Sequence, residues 1–282
     1  MKVSQKEIED FIKLAIAEDI KDGDHSSLAC IPATETGKAK LLVKQDGILA
    51  GVELAESIFS YFDKDSKLEI LMKDGEEMKY GDIAFYISGN VHAILKAERL
   101  VLNCMQRMSA IATKTNEVAS KISDLKTKVL DTRKTTPLLR FIEKWAVRIG
   151  GGVNHRFGLY DMIMLKDNHI DYAGGIEKAI NQTNEYLKQN GKDLKIEIET
   201  RNLEEVKEVL SVGNVDRIML DNFSYEDIKT AIKLIDRKYE TEASGGITSE
   251  TVRNYAECGV DFVSMGALTH SVKNLDLSLK AI

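Results

Sequence analysis

The sequence predicts an α/β protein in two parts: a small α+β unit around a largely antiparallel sheet, then a parallel α/β barrel. Three observations carry this expectation. Up to about residue 90, short strand-like runs are separated by turn pairs such as Asp46-Gly47 and Asp74-Gly75. Beyond residue 122, apolar strand-like runs alternate with one-sided helical patterns, the rhythm of parallel strands joined by crossover helices. Six successive runs in that second part each end in a polar or ionisable residue.

The elements follow in order. Ser4 with Glu7 forms a capping box, and Ile8, Phe11, Ile12, Ala15 and Ile16 repeat at helical spacing before the turn-like 18–24. Strand-like runs at 38–44, 48–50, 68–72 and 83–87 enclose a helical pattern at 54–62, and a longer helical pattern covers 92–122. The later strands fall at 128–131, 162–166, 194–199, 217–221, 240–244 and 261–264, with helices such as 203–210 and 225–235 between them. Read to their C-terminal ends, they deliver Arg133 and Lys134, then Lys166, Glu199, Asp221, Ser244 and Ser264, behind interiors that read as apolar. A closed barrel gathers all such ends at one mouth, whereas an open sheet spreads them along an edge, so the barrel is the better reading.

Bulk properties narrow the function. A 43% hydrophobic, 30% charged chain with a net charge of −6 is globular and offers no general attraction to nucleic acid or anionic membrane. With 2 prolines and no Pro/Gly/Ser-rich linker, its domains are packed rather than strung apart. Cys30, Cys104 and Cys258 fit neither a zinc site nor a disulfide framework and read as buried thiols of a cytoplasmic protein. No apolar stretch approaches membrane length.

The chemistry concentrates between Thr132 and His169. Seven basic residues there (Arg133, Lys134, Arg140, Lys144, Arg148, Arg156 and Lys166) face only Glu143, Asp161 and Asp167, which suggests a pocket for a compact polyanion. Lys144 and Arg148, at helical spacing from Arg140, read as a solvated face. Arg133, Lys134, Arg156 and Lys166 sit instead beside strand ends or in a glycine-rich loop, where arginine forks suit carboxylates and lysine suits phosphate. Glu199 and Asp221 could hold Mg²⁺ or ribose hydroxyls, or simply pair with Lys134 or Lys166. Ser244-Gly245-Gly246 and Ser264-Met265-Gly266 follow the last two barrel strands, the usual phosphate position of such barrels. The triplet Gly150-Gly151-Gly152 reads as a flexible loop carrying Asn154, His155 and Arg156 to the pocket, with His169 orienting Lys166.

Taken together, TRKTTP (132–137), GGGVNHR (150–156), KDNH (166–169), LDN (220–222), SGGIT (244–248) and SMGALT (264–269) resemble the quinolinate phosphoribosyltransferase family. So do EDIKDGD (18–24) and AERLVLN (97–103), and the match runs through nearly the whole chain in unbroken order. The resemblance implies an α/β sandwich domain (1–112, with 270–282 packing back onto it) and an incomplete, about seven-stranded TIM-like barrel (113–269). It implies a homodimer or higher oligomer in which each sandwich domain covers the partner's barrel mouth, Arg99 entering the neighbouring site. By the same resemblance Thr132, Arg133, His155 and Arg156 contact quinolinate, the last three gripping its two carboxylates, and Lys134 and Lys166 lie at the diphosphate and reacting centre. Glu199 and Asp221 stand at the ribose and Mg²⁺, and the two glycine loops (Ser244, Gly245, Gly246; Ser264, Met265, Gly266) cradle the 5′-phosphate. The implied reaction joins quinolinate to phosphoribosyl pyrophosphate, giving nicotinate mononucleotide, pyrophosphate and CO2. A related molybdenum-utilisation protein of the same fold and a non-catalytic phosphate-ligand sensor are the rival readings. Where the family commonly has glycine after TTP, this chain has Leu138.

Overall fold

The computed structural model describes residues 3–282. In chain order its first half runs α1 (Gln5–Asp19), α2 (His25–Cys30), β1 (Thr36–Val43), β2 (Gly47–Ile48), α3 (Val52–Phe62), β3 (Lys67–Ile70), β4 (Glu77–Met78), β5 (Ile83–Asn90) and α4 (Val91–Ser120). There follow β6 (Lys128–Leu130), α5 (Arg140–Ile149), β7 (Ile163–Leu165), α6 (Asp167–Ala173), α7 (Ile176–Gln189), β8 (Ile196–Thr200) and α8 (Leu203–Val212). The chain ends with β9 (Arg217–Asp221), α9 (Tyr225–Ile235), β10 (Glu240–Ser244), α10 (Val252–Glu257), β11 (Phe262–Ser264), α11 (Ala267–His270) and β12 (Leu277–Ala281). No described helix is long and apolar enough to cross a membrane.

Two compact units emerge. The first comprises the chain up to Asn116 with Thr136–Gly151 and Ser271–Ile282. Its four-stranded sheet is antiparallel throughout, in the order β12-β1-β5-β3, and Leu41, Phe85, Ile87 and Leu277 bury its apolar face. The Ser4–Glu7 capping box starts α1, and Ile8 and Ile12 are its buried residues. Helix α5 falls within the span 113–269 expected of the barrel, yet it groups with this unit. Phe141 on α5 meets Phe11 edge to face at 5.3 Å, and the fully buried Glu143 pairs with Arg107 at 2.9 Å. Lys144, read from the sequence as part of a solvated face, is buried at 2% exposure. Cys30 departs from expectation in the other direction: it is exposed, while Cys104 and Cys258 are buried.

The second unit, Glu117–Thr135 with Gly152–His270, contains the six parallel strands in the order β6-β11-β10-β9-β8-β7. Residues at or just past the C-terminal ends of all six strands line one cavity, so the strands curl around it. On the outer side of β6 a single parallel bridge joins Leu130 to Val153, whose N–H donates to Val129 O (2.8 Å) and whose carbonyl accepts from Asp131 N (3.2 Å). Val153 is thus the remnant of a seventh strand, and the barrel is incomplete between it and β7. Alternate strand residues pack outward as Ile198, Ile218, Leu220, Ala243 and Val263, all fully buried. The crossover helices begin where side chains cap them, Asn202 accepting from Glu205 N for α8 and Ser224 from Asp227 N for α9. The inward faces are not purely apolar as the sequence suggested: Glu197, Arg217 and Glu242 are buried on them.

Leu138 adopts φ +65°, a left-handed conformation that disfavours a Cβ, while its side chain is 84% exposed and gains little from burial. Leu138→Gly should therefore raise stability by about 0.5–1 kcal/mol in denaturant titration. A loss of stability would show that the Leu138 side chain is held by contacts stronger than the backbone strain.

Candidate active site

The C-terminal strand ends of the barrel enclose a cavity of about 750 Å³. On each strand the lining residues share one parity: Met164 and Lys166, Glu199, Met219 and Asp221, Glu242 and Ser244, and Ser264. They therefore point to the same, inner face of the sheet. Fourteen of the fifteen residues singled out from the sequence line this cavity: Thr132, Arg133, Lys134, His155, Arg156, Lys166, Glu199, Asp221, Ser244, Gly245, Gly246, Ser264, Met265 and Gly266. The fifteenth, Arg99, is exposed on α4 and is not among the lining residues.

One wall is cationic. Asp131, fully buried just past β6, accepts from His155 N (2.8 Å) and Asn154 Nδ2 (2.6 Å), which anchors the loop that presents His155 and Arg156. Asn154 is consumed by that anchor and does not reach the cavity as expected. Nor does the preceding glycine triplet act chiefly through flexibility: a Cβ on Gly150 would stand 2.3 Å from Ala112 O, so glycine permits close packing on α4. Arg156 reaches Met162 O (3.2 Å) and Met164 Sδ (3.6 Å), and burial together with the neighbouring Arg133 guanidinium holds it below its usual pKa. Two guanidiniums that repel one another on one wall of the cavity are suited to an anion between them.

The opposite wall carries the acids. Glu199, 8% exposed, pairs with Lys166 at 3.2 Å, so the salt bridge foreseen as one alternative exists. Asp221 Oδ2 accepts from Asn222 Nδ2 (2.6 Å). His169 accepts the Lys166 N–H at Nδ1 (3.0 Å), orienting that residue's backbone. At the phosphate loops Gly245 has φ +96° and Gly246 φ +61°, and a Cβ on Gly245 would lie 2.2 Å from Asn222 Oδ1. Their N–H groups take no intrachain acceptor among the described residues. Met265 differs from expectation: its N–H donates to Leu130 O (3.0 Å) and is closed to phosphate. Lys134 packs over Gly266, where a Cβ would sit 2.8 Å from Lys134 Cδ.

Below these groups lies a cluster that sequence reasoning missed. His155 Nε2 stands 2.9 Å from Glu197 Oε2 and 3.4 Å from Glu242 Oε2, and Arg217 Nη1 is 3.0 Å from the same Glu242 oxygen. His155, Glu197 and Glu242 offer donor atoms within 4.8 Å of one another, but the guanidinium of Arg217 already supplies a cation there. Burial pushes the imidazole pKa down, and the two carboxylates more than reverse this, raising it from 6.5 to about 9. His155 Nδ1 also accepts Arg156 N–H (2.6 Å), a role open only to the neutral ring. We take the raised direction, because two buried carboxylates outweigh one contact between sequence neighbours. The alternation Ile-Glu-Ile-Glu in β8 and Glu-Thr-Glu in β10 was the sequence signal for this cluster. His270 also lines the cavity and was likewise missed.

The chain matches the family described as quinolinate phosphoribosyl transferase, N-terminal domain, over residues 24–109, and its C-terminal domain over 111–280. It is 50% identical over 284 residues to the carboxylating nicotinate-nucleotide pyrophosphorylase, chloroplastic, of Arabidopsis thaliana, covering 95% of this chain and 81% of that protein. It is 42% identical to the probable carboxylating nicotinate-nucleotide pyrophosphorylase of Bacillus subtilis, covering 93% and 89%. The crystal structure of NadC from Streptococcus pyogenes superposes with a TM-score of 0.92 at 40% identity, covering 100% of this chain and 99% of that one.

The raised His155 pKa has a sign. A group whose folded value is raised contributes its stability fully below about 6.5 and loses it as pH rises through about 9. NMR titration of the histidine ring signals, assigned with a His155→Asn variant, should show one ring titrating near pH 9. Titration at or below 6.5 would mean that burial, not the carboxylates, governs the ring.

Proposed function

The chain belongs to the quinolinate phosphoribosyltransferase family and is a phosphoribosyltransferase of NAD biosynthesis, and we propose that the mouth of its barrel performs the reaction as follows. Arg133, Arg156 and His155 seat the two carboxylates of quinolinate, with Thr132 beside them. Across the cavity the Gly245–Gly246 turn, with Ser244, Ser264 and Gly266, receives the 5′-phosphate of phosphoribosyl pyrophosphate. The single observation that carries this is the pairing in one cavity of two repelling arginines with a glycine turn whose N–H groups lack acceptors.

Lys134 and Lys166 lie where the leaving pyrophosphate gathers negative charge, and Glu199 and Asp221 face the ribose ring as it becomes cationic. The pyridine nitrogen attacks the anomeric carbon as the bond to pyrophosphate breaks. The C–C bond to the adjacent carboxylate then breaks, CO2 departs, and the electron pair left on the ring carbon, stabilised by the pyridinium, takes up a proton. No nucleophilic side chain is needed; holding both reactants in line and countering charge suffice. Glu199 and Asp221 end adjacent strands and present the oxygen donors that Mg²⁺ prefers, and there the ion would neutralise pyrophosphate charge. Arg99, exposed on α4, is read as serving the site of a neighbouring subunit in a homodimer or larger assembly. A cytoplasmic location agrees with three cysteines that are all free.

Mixing the protein with quinolinate, phosphoribosyl pyrophosphate and Mg²⁺ should yield nicotinate mononucleotide. Nicotinate lacks one carboxylate and leaves charged donors unpaired, so its kcat/KM should be lower by more than roughly a hundredfold. Comparable rates with both acids would refute the arginine assignment. Arg99→Ala and Lys166→Ala should each be nearly inactive, while mixed dimers regain activity because one of their two sites is intact at both positions. If subunit exchange restores nothing, Arg99 does not act across an interface.

A further inference from the structure

No step above uses the charges buried beneath the cavity. Glu242 and Glu197 have fully buried side chains. Glu242 Oε2 is shared between Arg217 Nη1 (3.0 Å) and His155 Nε2 (3.4 Å), and Glu197 Oε2 approaches the same imidazole nitrogen at 2.9 Å. Arg217 is itself restrained from its far side by Glu240 (3.0 Å) and by the Phe262 ring, 4.1 Å from guanidinium carbon to centroid. Barrels of this kind ordinarily fill their interior with branched aliphatic side chains. Replacing a buried ion pair by apolar residues of similar volume commonly leaves a protein as stable or more so. Stability alone therefore gives a poor account of four ionisable groups in this core.

The cluster reaches the cavity through Glu242 and His155, both of which line it. His155 is held at its backbone, where its N–H donates to Asp131, and at Nδ1, which accepts from Arg156 N; its buried Nε2 stands at ion-pair distance from both carboxylates but in hydrogen-bond geometry with neither. Rotating the ring would forfeit both carboxylates at once. Of the two acids, only Glu242 touches both His155 and Arg217 closely; Glu197 stands 4.0 Å from Arg217. Glu242 is also carried by the strand whose end, Ser244, opens the phosphate turn.

We propose that Glu242, clamped by Arg217 and flanked by Glu197, is a positioning residue that fixes the His155 ring for the pyridine dicarboxylate and so sets affinity for that substrate. The proposal rests on the reading of His155 as a carboxylate contact. Glu242 acts on the pyridine side through the ring, and its carboxylate also faces Ser264 of the phosphate loop.

Steady-state kinetics of Glu242→Gln, which keeps the shape and removes the charge, provide the test. The KM for quinolinate should rise about tenfold or more, as expected when a buried charge contact is weakened, and clearly more than the KM for phosphoribosyl pyrophosphate, while kcat stays within about threefold. The double variant Glu242→Leu with Arg217→Met removes this pair together, leaving Glu197 with His155 and the half-exposed Glu240 with Lys195. It should melt no lower than the wild type yet keep the raised quinolinate KM, which separates positioning from folding. An unchanged quinolinate KM in either folded variant overturns the proposal. So does an equal rise in both KM values alongside a lowered melting temperature, the mark of a structural role. A wild-type protein that fails to turn over quinolinate would refute the underlying reading instead, and that outcome is visible before any variant is made.

Discussion

A strand in a parallel barrel can aim only every second side chain inward, and the placement of the strand-borne polar groups of this site follows from that alternation. Glu197 and Glu199 on β8, Arg217 and Asp221 on β9, and Glu242 and Ser244 on β10 are all odd or all even within their strands. Each strand thus contributes one residue to the rim and another deeper in the interior. A slip of one residue in any pairing would exchange the inward charges for Ile198, Leu220 or Ala243 and abolish rim and interior together.

The two tiers differ in physical character. At the rim, carboxylates and cations have access to water and to ligand, and pairs such as Lys166–Glu199 can exchange partners at modest cost. In the interior the pairs are cut off from water, so each charge depends on its neighbour, and losing one strands another. The interior tier behaves as a single electrostatic unit that borders the cavity only at its upper surface. Rigidity there suits recognition of a small flat dicarboxylate, because the cost of ordering the binding groups is met when the protein folds.

Much of this was legible in the sequence, for identifiable reasons. Rim residues follow apolar runs directly, so Lys166, Glu199, Asp221, Ser244 and Ser264 could be read off as strand ends. The barrel strands were legible because hydrophobic runs and crossover helices alternate at a steady period. The interior cluster was not, because a glutamate inside a strand pattern looks like an exposed face until the opposite face proves equally buried. Lys144 misled for the complementary reason: helical spacing reveals which residues share a face but not which face is covered. The role of Gly150 needed the position of Ala112, which lies far away in sequence.

The missing strand has a further consequence. Between the single bridge at Val153 and strand β7 no ladder hydrogen bonds among the described residues close the circle, and the Arg156 side chain reaches across to Met162 O. In the proposed reading, one guanidinium is at once a grip on the ligand and a fastener on the seam of the barrel. Seam and grip draw on the same five N–H donors, so occupancy of the cavity and tightness of the seam are mechanically linked. Wear at that seam, rather than in the continuous ladder from β7 to β6, is where local breathing of the barrel will begin.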